Sequence, residues 1–152
     1  MKHEGHEGHE GRCAVETRVS ALGVSHQVIA AAMKVHTTLG PGMLESVCEV
    51  CLAYELRKTG HKCETQLSLP IQYDGVRLDA GYRIDLLVDD LVIVELKSVD
   101  KVHPICHAQL ISYLKLSGKS LGLLINFNVV HLRDGIKRFV RGNDWKVTPS
   151  CT

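Results

Sequence analysis

The sequence predicts an α/β fold of the α+β kind, with one mixed central sheet flanked by helices. Three observations predict it. Helical periodicity dominates the first third of the chain, two apolar strand-like runs joined by an acidic turn occupy Gly81 to Lys97, and a short continuous apolar run, Leu121 to Phe127, follows a further helical stretch. The resulting order, α-β-β-β-α-β, gives a single sheet with helices packed on it.

His3 to Gly11 repeats His-Glu-Gly three times. A period of three suits neither helix nor strand, so residues 1–20 are expected to form a disordered tail, with any metal binding by its histidines weak and without fixed geometry. From Ser25 onward, Val28, Ile29, Ala32, Met33, Val35 and Leu39 recur at helical spacing; Ser25 suits an N-cap and Gly40-Pro41-Gly42 a stop. A second helix is expected from about Met43 to Thr59, with Leu44, Val47, Cys51, Leu52 and Leu56 inward and Gly60 at its end. Lys62 to Tyr73 reads as a long alternating strand, bent or at an edge where Pro70 falls, and Asp74-Gly75 as a turn into Val76 to Leu78. The central hairpin follows. Pro104 opens a helix to about Ser117, stopped by Gly118, on which Gln109 and Tyr113 share a face. Leu121 to Phe127 has the unbroken apolar character of a strand covered on both sides. Arg133-Asp134-Gly135 suits a turn into a last strand, Ile136 to Arg141. The domain proper is therefore expected over residues 21–141, with 142–152 a loose tail.

A chain of 152 residues is one domain by size, and its formal net charge of +1 makes no argument for nucleic acid. Any basic footprint must be local: Arg83, Lys101, Lys115, Lys119, Lys137, Arg138 and Arg141 suit either contacts to a phosphate backbone or a solvated surface. No apolar run reaches membrane-spanning length and the N-terminus is polar, so a cytoplasmic protein without a membrane partner is expected. In that compartment the six cysteines are expected to be thiols.

Register decides the meaning of the hairpin. With a two-residue turn, Asp85 falls opposite Val94, away from Glu95. With a three-residue turn, Asp89 to Leu91, the residues Ile84, Leu86 and Val88 face Leu96, Val94 and Val92, and Asp85 lies beside Glu95. Only the second register keeps the apolar set together, so it is the expected one. Two carboxylates and the Lys97 ammonium then meet on a mostly buried sheet, which is costly unless a cation or substrate offsets it. An ion pair of Lys97 with Glu95 or Asp85 is the plainer alternative. Glu45 likewise suits either a surface glutamate near the positive end of a helix or an acidic group held beside this site.

Other clusters compete. Cys48-x-x-Cys51 and the group His103, Cys106 and His107 contain zinc-ligand types, but the second lacks the usual spacing and Cys51 belongs to an apolar helix stripe. A redox role is disfavoured because the Cys-x-x-Cys lies inside a helix pattern. His36 is expected as a core or capping histidine.

Element order, with an aspartate on the second strand and Glu-x-Lys on the third, resembles the PD-(D/E)XK nuclease superfamily and its restriction-endonuclease-like core. Within it, G-P-G-M-L-E-S-V-C (Gly40 to Cys48) resembles the opening motif of the GxxExxY family, and L-L-I-N-F-N-V with D-G-I-K-R (Leu123 to Val129 and Asp134 to Arg138) its C-terminal signature. Gln109 and Tyr113 match the Gln-x-x-x-Tyr motif of the RecB-like branch. The resemblance implies that Asp85, Glu95, the carbonyl of Leu96 and Glu45 hold Mg2+ or Mn2+, that Lys97 serves the attacking water, and that Gln109 and Tyr113 position substrate. It implies a metal-dependent nuclease acting on nucleic acid, DNA before RNA, with room for a homodimer. The family tyrosine is replaced by Cys48, which lacks the reach of a phenol. The alternative is a non-catalytic nucleic-acid- or protein-binding module on the same fold.

Overall fold

The computed structural model describes residues 20–142. The expectations for the His-Glu-Gly repeat and for the C-terminal tail beyond Gly142 lie outside them. Two helices come first, α1 (Ala21–Leu39) and α2 (Glu45–Lys58), then strands β1 (Cys63–Tyr73), β2 (Val76–Val88) and β3 (Val92–Lys97), helix α3 (Pro104–Ser117), β4 (Leu121–Asn126), a 3-10 turn (Leu132–Gly135) and β5 (Ile136–Val140). The five strands form one sheet in chain order. Only β3 and β4 run parallel, with α3 as the crossover between them; the other neighbours are antiparallel. No helix among the described residues is long and apolar enough to cross a membrane.

The sheet divides the core into two halves. On one side Val24, Val28, Ala32, Val35, Leu52 and Leu56 of α1 and α2 pack on Leu86, Val88, Val92, Val94, Leu96 and Leu123. On the other, Leu110, Tyr113 and Leu114 of α3 pack on Ile84, Leu87, Ile93 and Leu124. β4 is buried along its whole length, as its unbroken apolar run requires.

Several expectations are corrected. The first helix begins a turn early: Ser20 is its cap, its Oγ accepting from the Gly23 amide at 3.0 Å. Ser25 is buried inside the helix and donates its hydroxyl to the Leu22 carbonyl at 2.7 Å, so the hydroxyl has no need of a terminus. Leu44 caps α2 from outside and is 72% exposed, while Cys48 and Ala53 take inward places. Val76 to Leu78 is not a separate strand but the start of β2, which bulges at Asp79 to Gly81 opposite Pro70, where the register shifts and Gly81 adopts φ +73°.

The C-terminal signature residues organise the loops around the end of β3. The Asn126 Oδ1 accepts from the amides of Val99 (3.1 Å) and Asn128 (3.2 Å), and its Nδ2 donates to the Val99 carbonyl (2.9 Å). Asn128 Oδ1 accepts from the Gly42 amide at 3.0 Å, tying the Gly40-Pro41-Gly42 turn to the same region. Gly135 lies so close to β4 that an added Cβ would sit 2.2 Å from the Asn126 carbonyl oxygen. Gly135→Ala is therefore expected to cost about 1–3 kcal/mol by urea denaturation. Gly122→Ala is expected to cost less, because its nearest neighbour is the Leu110 side chain, which can turn aside.

Candidate active site

The turn between β2 and β3 fixes the site's geometry. Asp89 and Asp90 both adopt left-handed φ, +52° and +58°, a conformation that aspartate tolerates better than most residues. Asp89 is further held by the Lys62 amide (2.8 Å) and by His61 Nδ1 (2.6 Å), and the Leu91 amide donates back to the Val88 carbonyl. The turn thus takes three residues, and Val88 pairs with Val92, Leu87 with Ile93 and Leu86 with Val94. The pairing ends there, and the two strands part.

Asp85 stands in the fork. Its Oδ2 accepts the Leu96 amide at 2.8 Å, replacing a ladder bond that the parting strands do not make. Its Oδ1 accepts from Gln66 Nε2 at 3.4 Å. One part of the expected face assignment is overturned: Ile84 packs on the α3 side of the sheet, apart from Leu86 and Val88. β1 makes the same change, since Cys63 packs on the α1 and α2 side and Leu67 and Leu69 on the α3 side. The change falls at Gln66, which lies opposite Asp85 with φ +52°.

Glu95 is 6% exposed, and its buried Oε1 has no hydrogen-bond partner among the described residues. Burial, and then the negative charge of Asp85, push its carboxyl up to about 8, against the opposing pull of the Lys97 ammonium. Burial also raises the Asp85 carboxyl, offset by the Leu96 amide and by Lys97. Lys97 is partly buried at the end of β3, and among the described residues it forms no ion pair with either carboxylate. Leu96 lies between them, its side chain in the core and its backbone aligned with Ile125.

Glu45 opens α2 and is exposed; its Oε1 accepts the Ser98 amide at 3.2 Å, just past the end of β3. The Ser98 hydroxyl donates to the Met43 carbonyl, a second tie between the helix start and that loop. From α3, Tyr113 is 3% exposed, and burial together with the charges of Glu95 and Asp85 pushes its phenol up to about 12. The neighbouring Gln109 side chain opposes that rise. Cys48 is 1% exposed in the core beside Leu52.

Sequence reasoning missed Glu49, Gln66, Ser98 and Tyr82. Glu49 lies one helical turn beyond Glu45 and accepts from Gln66 Nε2 at 2.7 Å, and the Tyr82 ring meets that of Tyr113 edge-on at 5.7 Å. The spacing of Glu45 and Glu49 and the cross-strand position of Gln66 were the available signals. The thiol clusters do not meet: Cys51 packs on the α1 and α2 side of the sheet and Cys106 on the α3 side, and Cys48, Cys51, Cys63 and Cys106 are free.

Among the described residues no three His, Cys, Asp or Glu side chains converge to hold a metal ion by themselves. A hard divalent cation nevertheless fits what is present. Asp85 and Glu95 are oxygen donors whose charges repel each other, and Glu95 Oε1 is an acceptor with nothing to accept. Magnesium and manganese need few protein ligands, because they keep several waters.

The raised Glu95 pKa has a sign that stability measurements can read. The folded protein holds the proton from about pH 4.5, the ordinary value, to about 8, so metal-free stability falls as pH rises through that window. In chelator, Glu95→Gln is expected to match the wild type below pH 4.5 and to exceed it by several kcal/mol above pH 8, measured by urea denaturation.

The profile of the PD-(D/E)XK nuclease superfamily matches residues 23–139, from the first turn of α1 to the end of β5. No curated protein and no solved structure matches the chain. A match of that extent, on an α-β-β-β-α-β core whose second and third strands carry Asp85 and Glu95-x-Lys97, makes the chain a member of the PD-(D/E)XK nuclease superfamily.

Proposed function

We propose that residues 21–141 form a divalent-metal-dependent nuclease domain, using magnesium or manganese to hydrolyse phosphodiester bonds, with DNA preferred to RNA. The observation that carries this reading is the fork between β2 and β3. It holds a buried Glu95 and a half-buried Asp85 side by side, and among the described residues the neighbouring Lys97 ammonium forms an ion pair with neither. Keeping negative charge there without a cation is costly, and a nuclease is the function in which that cost has a use.

Asp85, Glu95 and the carbonyl of Leu96 would hold the cation, with Glu45 reaching it from the start of α2. When bound, it supplies positive charge where the phosphate becomes more anionic and makes water more acidic. Lys97 orients a water and stabilises charge on the phosphate, a role that its ammonium fills without acting as a base. Tyr113, kept neutral by its surroundings, offers a hydroxyl to substrate, and Gln109 fixes its direction. This assignment follows the RecB-like branch, and the opening and closing motifs support the GxxExxY family. Cys48 is in the core, so the part played there by a tyrosine falls to other residues.

One observation favours a second reading, a non-catalytic nucleic-acid- or protein-binding module: Glu45 is exposed and engaged with Ser98 and completes no three-residue chelating group. Cleavage separates the two. Purified protein with manganese is expected to cut at least one member of a panel of single-stranded, duplex and branched DNA and RNA, and Glu95→Gln or Lys97→Ala is expected to lower the rate by about a hundredfold or more. Binding without cleavage of any member decides for the module. Calorimetry tests the site directly: manganese heat is expected from the wild type and is expected to be lost in Asp85→Asn, and equal heats would remove the metal assignment.

A further inference from the structure

Gln66 occupies a conformation its residue type resists. It lies within β1, yet its φ is +52°, in the left-handed region where a side chain crowds its own backbone. The other non-glycine residues with positive φ, Asp74, Asp89 and Asp90, are aspartates in turns. Gln66 is a glutamine in a strand, and glycine would satisfy the backbone better. The residue is exposed and belongs to neither buried core, so packing does not hold it there. What the side chain does make is a pair of hydrogen bonds. Nε2 donates to Glu49 Oε2 at 2.7 Å and to Asp85 Oδ1 at 3.4 Å, joining an acid on α2 to the acid in the fork.

We propose that Gln66 is a positioning residue for the site: its carboxamide bridges Glu49 and Asp85 and keeps the Asp85 carboxylate turned across the fork onto the Leu96 amide. The proposal rests on the nuclease reading for its purpose, and on the two hydrogen bonds and the left-handed backbone for its substance. The chemistry of the side chain suits the task. An amide separates two carboxylates with hydrogens of its own while adding no charge, so the fork keeps the negative charge that a cation needs. A lysine or arginine at residue 66 would separate them equally well and would compete with the cation. An asparagine would tolerate the backbone better but is one methylene shorter. A strained backbone maintained for a side-chain contact is a pattern associated with functional sites.

The deciding variant is Gln66→Gly, which removes the bridge and relieves the backbone together. Its melting temperature is expected to equal that of the wild type or exceed it by about 3 °C. Amide hydrogen exchange at Leu96 is expected to quicken by about tenfold, because its acceptor is no longer held, while the buried amides of β4 keep their protection. Manganese affinity by calorimetry is expected to fall by about tenfold, and Gln66→Asn is expected to restore little of it. Unchanged protection at Leu96 in a variant of wild-type stability would overturn the proposal, as would a marked loss of melting temperature, which would assign Gln66 to the fold. Absence of manganese heat from the wild type, with faster exchange at Leu96 in Gln66→Gly, would sink the nuclease reading and leave the positioning role in place.

Discussion

The hydrogen bond from the Leu96 amide to Asp85 is the interaction on which the site depends. Two antiparallel strands that part must leave amides and carbonyls without their ladder partners, and a buried amide without an acceptor is expensive. At the first position beyond the Leu86 and Val94 pair, a carboxylate takes the amide instead. The acid is thereby fixed at the fork, one residue from Glu95, by a bond that satisfies the backbone as well as the side chain. A neutral residue of similar shape would accept the same bond without bringing a charge into the fork.

Much of this was legible in the sequence. Setting Ile84, Leu86 and Val88 against Leu96, Val94 and Val92, with two aspartates and Leu91 between, was enough to choose a register, because a slip of one residue would have broken up that set, and the Leu86–Val94 and Val88–Val92 pairs are the ones formed. The third helix could be read to the residue, since Pro104 and Gly118 mark its ends chemically. What alternation could not reveal was the change of face at Ile84 and Leu67. A period-two pattern assumes that every residue between is extended, and the left-handed turn of the chain at Gln66 breaks that assumption with no glycine to announce it. Ser25 misled for a related reason: a serine hydroxyl can cap a helix or bond back within one, and composition does not distinguish them. Glu49 and Gln66 escaped notice because each is an ordinary surface residue until β1 is laid against β2 and α2 against both.

The arrangement also concentrates local cost in one place. Glu95 is placed where burial and the charge of Asp85 resist ionisation, Asp85 where burial raises its carboxyl, and Gln66 where the backbone is strained, all at the same part of the sheet. The rest of the molecule is conventional in comparison, with apolar side chains filling both sides of the sheet and the asparagines of β4 and its following loop satisfying backbone groups around the end of β3. Such a division is expected when a rigid scaffold carries a few locally unfavourable groups.

The tie between Glu45 and Ser98 spans 53 residues of chain, and Glu95 is covered by α3 and flanked by β4, both of which follow it in sequence. A polypeptide emerging from the ribosome therefore holds these acidic groups apart and hydrated until β4 has been synthesised and can pair with β3.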